Sequence, residues 1–167
     1  MPSRGLMRRA DRAMEAKDTI ALLKRAEVMR IGTVDKEGWP YVVPFSFVYH
    51  DGKIYFHHTA EASHLTSNIN VSPRICIEVD EPGPVFSEGK SGCDVSRVFH
   101  SAIAYGKASL VTDAKRKKEA FDHLMVKYAD PAWKLPSEYP TMDTTLVFQV
   151  DIEKLTGKQR LMKAKPS

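Results

Sequence analysis

Between residues 11 and 27 the apolar side chains of Met14, Ala16, Ile20, Leu23 and Ala26 recur near the spacing of one helical stripe, among charged neighbours. This predicts an amphipathic opening helix over 11–27. The period then shortens to that of strands. Residues 29–34 and 41–49 are β-rich runs joined by the glycine-ended turn Asp35-Lys-Glu-Gly38, and Asp51-Gly52 is a tight-turn signal before a third run at 53–58. Residues 64–70 can form two helical turns with Ser63 as their cap, closed by Pro73. Residues 74–80 read as a fourth strand, and 82–94, rich in Gly, Pro and Ser, as a long loop. Residues 99–112 read as a long strand bent at Gly106. A helix over 114–128 with Phe121, Leu124, Met125 and Tyr128 on its apolar face, and a closing strand over 144–153, complete the pattern.

Six antiparallel strands, five of them within 29–113, with helices at the periphery, predict a mainly β chain whose sheet closes on itself as a barrel. No βαβ rhythm, GxGxxG pattern or Walker A pattern is present, which disfavours a Rossmann or P-loop nucleotide site.

The length of 167 residues, with 43% hydrophobic and 28% charged positions, fits one soluble domain over 1–167. The net charge of +4 hints at nucleic acid or anionic lipid only until its distribution is read. Arg4, Arg8, Arg9 and Arg12 against Asp11 give +3 at the start, and Lys158, Arg160, Lys163 and Lys165 give +4 in a basic tail over 158–167, so residues 13–157 carry −3. The body is slightly acidic, so neither a nucleic-acid nor a membrane partner is expected. Cys76 and Cys93 lack CxxC spacing and no apolar signal segment precedes the first helix, which points to reduced thiols and a cytoplasmic protein.

Thr59 to Ser63, a turn leading into a helix start, is the place where free backbone N–H groups and a helix dipole can receive a phosphate, although the same residues also serve a plain helix cap. His57, His58 and His64 cluster nearby. Adjacent strand residues face opposite ways, so His57 and His58 do not readily share an ion, and no HExxH spacing accompanies them; no metal site is expected. His64 stands at the mouth of the anion turn, where an imidazole can donate to a phosphate or move a proton. Pro44, within Val42-Val43-Pro44-Phe45, removes a ladder donor, which fits either a ligand-facing backbone or an ordinary edge strand.

Met7-Arg-Arg-Ala-Asp11, Gly38-x-Pro-Tyr-Val-Val-Pro-Phe-Ser-Phe-Val-Tyr49, Asp51-Gly-Lys-Ile-Tyr-Phe-His57, Asn70-x-x-Pro-Arg74, Phe99-His-Ser-Ala-Ile-Ala-Tyr-Gly106 and Ile152-Glu-Lys-Leu-Thr-Gly-Lys158, in that order, resemble the nitroimidazole-resistance (Nim) branch of the pyridoxamine-phosphate-oxidase-like flavoproteins. The resemblance implies a split β-barrel that binds FMN as a homodimer, with the flavin at the subunit interface. It implies that the backbone at Val43, Pro44 and Phe45 borders the flavin ring. It places His58, Thr59, Ser63 and His64 at the cofactor, with His64 as the active-site histidine. Relatives usually carry a lysine in or next to this place, where the neighbour of His64 here is Leu65, so either His64 takes over the phosphate contact or Arg30, Arg74 or a group of the second subunit supplies the charge. The implied chemistry is FMN-mediated reduction of a nitro group or another small acceptor, with NADH or NADPH as donor. A haem- or flavin-binding protein without turnover is the alternative. True pyridoxamine-phosphate oxidation is disfavoured, because the basic signature expected for a second phosphate is not evident.

Overall fold

The alternating runs assemble into one antiparallel sheet. The computed structural model describes residues 7–135 and 138–162. The chain forms α1 (Ala16–Arg25), β1 (Val28–Val34), β2 (Pro40–Ser46), β3 (Val48–His50), β4 (Lys53–Thr59), α2 (His64–Val71), β5 (Arg74–Ser87), β6 (Val95–Leu110), α3 (Ala114–Tyr128) and β7 (Thr145–Arg160). The strand order is β2-β1-β5-β6-β7-β4-β3, every pair antiparallel. The two edge strands, β2 and β3, are consecutive in the chain and separated by Phe47 alone. The sheet therefore curls until its edges meet through a covalent link rather than a hydrogen-bonded ladder, leaving a slit between β2 and β4. The slit is closed at Phe47 and open at the other end of β2. This is a split barrel, as expected, but with seven strands in place of six, because the predicted run 41–49 breaks at Phe47.

Other boundaries move for visible reasons. The opening helix is not continuous over 11–27. A single 3-10 turn at Ala10–Arg12 precedes α1, because Ala13 bridges to Lys158 and the Met14 amide donates to the Gly157 carbonyl at 2.9 Å, taking those residues out of helical geometry. The first part of the 82–94 loop is strand: β5 continues to Ser87 across a register shift between Pro82 and Val85, and pairs with the start of β6, while 88–94 remains a loop with a 3-10 turn at Gly92–Asp94. The closing strand runs to Arg160, so Lys158 and Arg160 belong to β7 rather than to a tail, and Arg160 is paired with Glu88 at 3.0 Å. Arg4, Lys163 and Lys165 lie outside the described residues. Cys76 and Cys93 are both free thiols. No described helix is long and apolar enough to cross a membrane.

The barrel interior is filled by Met29, Ile31, Phe47, Ile54, Phe56, Ile77, Val79, Phe148 and Val150, with Leu22 and Leu23 of α1 and Leu65 and Ile69 of α2 packed against them. A second cluster forms outside the barrel, where Ala120, Phe121 and Leu124 of α3 meet Val48, Val111 and Val147. Gly106 marks the corner predicted for it. The β6–β7 register shifts beside it, and a Cβ at this position would sit 2.5 Å from the Asp151 carbonyl oxygen. Backbone cannot retreat there as a flexible side chain would, so Gly106→Ala is expected to cost about 1–3 kcal/mol, read as a lower urea midpoint at unchanged slope.

The last turn of α3 reaches the strand break. Lys127 Nζ donates to the Phe47 carbonyl at 2.9 Å and lies 3.8 Å from the centre of the Phe47 ring. Desolvation there lowers the Lys127 ammonium from 10.5 to about 8, against an opposing contribution from Glu27. Between those values the unfolded chain retains a proton that the folded chain has released, so the Lys127 contribution to stability rises as the pH climbs from about 8 to 10.5. Denaturant titrations across that range should show the wild type gaining stability relative to Lys127→Met.

Candidate functional site

The slit gathers residues that the chain order keeps apart. On β2, Tyr41, Val43 and Phe45 share the inward face, opposite Thr33, Ile31 and Met29 of β1. Pro44 and Val42 alternate outward and are exposed. The β1–β2 register runs unbroken past Pro44, which therefore sits in an edge strand without a bulge. Across the slit, Phe56 and His58 of β4 face the same way. The Phe45 ring lies 5.4 Å from that of Phe56 and 5.7 Å from that of His58. His57 points to the opposite side, its ring 5.5 Å from Phe121 of α3. Desolvation there lowers its pKa, and the neighbouring His58 lowers it further. The alternation that separates the two histidines in sequence thus separates them in space.

At the open end, Thr59 ends β4 and the exposed turn 60–62 leads into α2. Ser63 caps this helix. Its Oγ accepts the Thr66 amide at 3.1 Å, and the Thr66 hydroxyl accepts the Ser63 amide at 3.0 Å, a reciprocal box. With Thr66 satisfied by the cap and Ser67 bonded to the Ser63 carbonyl, the amides of His64 and Leu65 have no partner among the described residues. They are the two donors left at the positive end of the helix dipole. The exposed His64 ring stands 5.6 Å from that of Tyr41. His58 Nδ1 lies 2.8 Å from the Thr59 carbonyl, which fixes its ring at the lip of the turn.

Val43, Phe45, His58, Thr59, Ser63 and His64 are therefore brought to one slit and its mouth, while the Pro44 side chain faces outward. Ser63 serves the helix cap, so a ligand at this turn would meet chiefly the His64 and Leu65 amides. Of the basic groups considered for a phosphate, Arg30 is already engaged, with Glu78 at 3.0 Å and Asp80 at 2.5 Å. The Arg74 side chain is exposed at the start of β5. Tyr41 is the site residue that sequence reasoning missed. Its signal was present, since it stands two and four residues before Val43 and Phe45 and so shares their face. Among the described residues no group of three or more His, Cys, Asp or Glu side chains is arranged to hold a metal ion.

Comparison with known proteins places this architecture. The family model for pyridoxamine 5'-phosphate oxidase matches residues 15–159. Comparison with curated proteins gives no match. Among solved structures, the flavocytochrome Anf3 from Azotobacter vinelandii superposes with a TM-score of 0.83 at 19% identity, covering 100% of this chain and 78% of that one. A candidate 5-nitroimidazole antibiotic resistance protein from Bacteroides thetaiotaomicron superposes at 0.74 with 24% identity, covering 88% and 86%. An FAD-binding protein from Mesorhizobium loti does so at 0.65 with 24% identity, covering 90% and 98%. At these identities the likeness is one of fold.

Proposed function

The chain belongs to the pyridoxamine 5'-phosphate oxidase family, and from that premise we propose that it is an FMN-dependent oxidoreductase of the nitroimidazole-resistance branch, reducing a nitroaromatic compound or another small acceptor with electrons from NADH or NADPH. The observation that carries this reading is the slit itself. Phe45 packs beside Phe56 and His58 along the seam between β2 and β4, and the seam leads to a helix start whose first two amides have no partner among the described residues. A flat ring system bearing a phosphate needs both features within one site. The residues present fit that requirement: the His64 and Leu65 amides and the α2 dipole suit the phosphate, and Val43, Phe45 and the Pro44 backbone suit the ring.

A bound flavin supplies the uptake and release of electrons that no side chain can perform. The chain's own residues orient and supply protons. His58 and Thr59 form the lip of the phosphate turn, Tyr41 buttresses the His64 ring, and His64 can hold a proton on an imidazole nitrogen at the mouth, where a small acceptor would enter. Arg30, tied to two carboxylates, does not offer the paired cations that a second phosphate would require.

The functional unit we propose is a homodimer joined through the outer face of the sheet. Register sets Val42, Gly32, Cys76 and Tyr105 in one outward row, and Pro44, Arg30, Glu78, Ile103 and Thr156 in the next. Val42 and Val28 on this face are 64% and 44% exposed, apolar area that a second copy would cover. Sedimentation equilibrium should return twice the 18.8 kDa chain mass.

The test of function is the visible spectrum of the protein as isolated and after addition of FMN. Flavin bands that bleach with NADH or NADPH and return with a nitroimidazole support the proposal. A haem Soret band without flavin would turn the reading to a haem-binding protein without turnover. Failure to retain added FMN would overturn it.

A further inference from the structure

Phe47 is the single residue between β2 and β3, and therefore the closed end of the slit. Its side chain is 0% exposed, and its backbone belongs to neither the β1–β2 nor the β3–β4 ladder. Buried backbone groups must still find partners. Both come from α3, about eighty residues later. The Tyr128 hydroxyl accepts the Phe47 amide at 2.9 Å, and its one proton faces both the Glu27 carbonyl at 2.6 Å, between α1 and β1, and the Phe47 carbonyl at 2.9 Å. Lys127 Nζ donates to the Phe47 carbonyl at 2.9 Å and covers its ring. The last turn of α3 thus ties the strand break to the α1–β1 link from outside the barrel.

We infer that Lys127 and Tyr128 are positioning residues that hold the closed end of the slit at Phe47, and so set how β2 presents Val43 and Phe45 to a bound flavin. The inference rests on the flavin reading above. Phe45 lies two residues from the clamped position, on the same face of the chain, and no ladder joins β2 to β4, so the hinge at Phe47 governs the spacing of the two walls. Removing the Tyr128 hydroxyl leaves the Phe47 amide without its acceptor, and removing the Lys127 amine leaves the carbonyl only the Tyr128 hydroxyl, whose one proton also faces Glu27. Either loss lets the hinge relax toward water.

The experiment compares wild type, Tyr128→Phe, Lys127→Met and, as a control, Phe121→Leu. The control weakens the packing of the same helix in the outer cluster without touching Phe47. Each protein is titrated with FMN by flavin fluorescence, and the circular dichroism of the visible flavin bands is recorded at saturation, since that signal follows ring orientation rather than global stability. Tyr128→Phe and Lys127→Met are expected to bind FMN about tenfold more weakly and to change the flavin dichroism, whereas Phe121→Leu changes neither. Folded Tyr128→Phe and Lys127→Met proteins with wild-type affinity and dichroism would overturn the inference. So would a Phe121→Leu protein that shifts both readouts equally. A wild type that fails to bind FMN overturns the flavin reading and this inference together; a wild type that binds, with variants indistinguishable from it, overturns only the inference.

Discussion

Replacing His64 by alanine is expected to lower flavin retention and to reduce turnover with a nitro acceptor by about 100-fold, the lower end of what a positioned proton donor contributes. His64 is the first residue of α2, where the helix dipole and two amides unpartnered among the described residues concentrate positive potential. Its ring is exposed and stands against Tyr41 rather than being absorbed into the core. The alanine variant keeps the Ser63–Thr66 box, so α2 itself should persist and the loss should be chemical rather than structural. His64→Lys separates the two roles. A lysine restores charge for a phosphate but is a poor proton donor near neutral pH, so flavin should return while turnover stays low. FMN per protomer by absorbance, with steady-state NADH oxidation, measures both. Unchanged occupancy together with full activity in the alanine variant would remove His64 from the site.

Phe56→Ala is expected to be the most damaging single substitution in the barrel, costing about 3–5 kcal/mol, which is a large share of the roughly 5–15 kcal/mol by which such domains are stable. Phe56 is 0% exposed, lies 5.2 Å from the Phe148 ring at an interplanar angle of 14°, and lies 5.4 Å from Phe45. It therefore joins the β4–β7 ladder to β2, with which β4 shares no ladder. A cavity there removes packing from both sides of the slit. Because Phe45 loses its neighbour, the variant should also bind FMN more weakly under conditions where it remains folded. Chemical denaturation gives the first quantity and a flavin titration the second. A loss below about 1 kcal/mol would mean that the surrounding side chains close the gap, and that the slit is less tightly packed than its ring distances indicate.

Local signals proved legible where one short segment decides the outcome. Asp51 and Gly52, with φ of 47° and 76°, make the tight turn their types demand. Ser63 caps α2, and α3 spans the interval its apolar stripe marked. The opposite facing of His57 and His58 followed from strand alternation alone. Boundaries failed where a distant partner intervened. Pairing of Ala13 with Lys158 cut short the opening helix, and pairing with β6 turned residues 82–87 of the glycine- and proline-rich stretch into strand. The basic end of the chain was misread for the same reason, since the strand character of 154–160 depends on its alignment with β6.

The sequence by itself determined the class of fold, the antiparallel sense of the strands, the corner at Gly106, and the Ser63-capped turn and helix, because each follows from periodicity, turn chemistry or capping over a few neighbouring residues. Only the tertiary structure decided that the barrel is split at Phe47, that Tyr41 faces His64, that Arg30 is engaged by Glu78 and Asp80, and that Lys127 and Tyr128 satisfy the buried hinge at Phe47. The physical reason is that a break in a hydrogen-bond ladder leaves no mark in the hydrophobic pattern. Residues 45, 46, 47 and 48 keep their in-and-out alternation through it, and the partners that make the break tolerable come from a helix about eighty positions away.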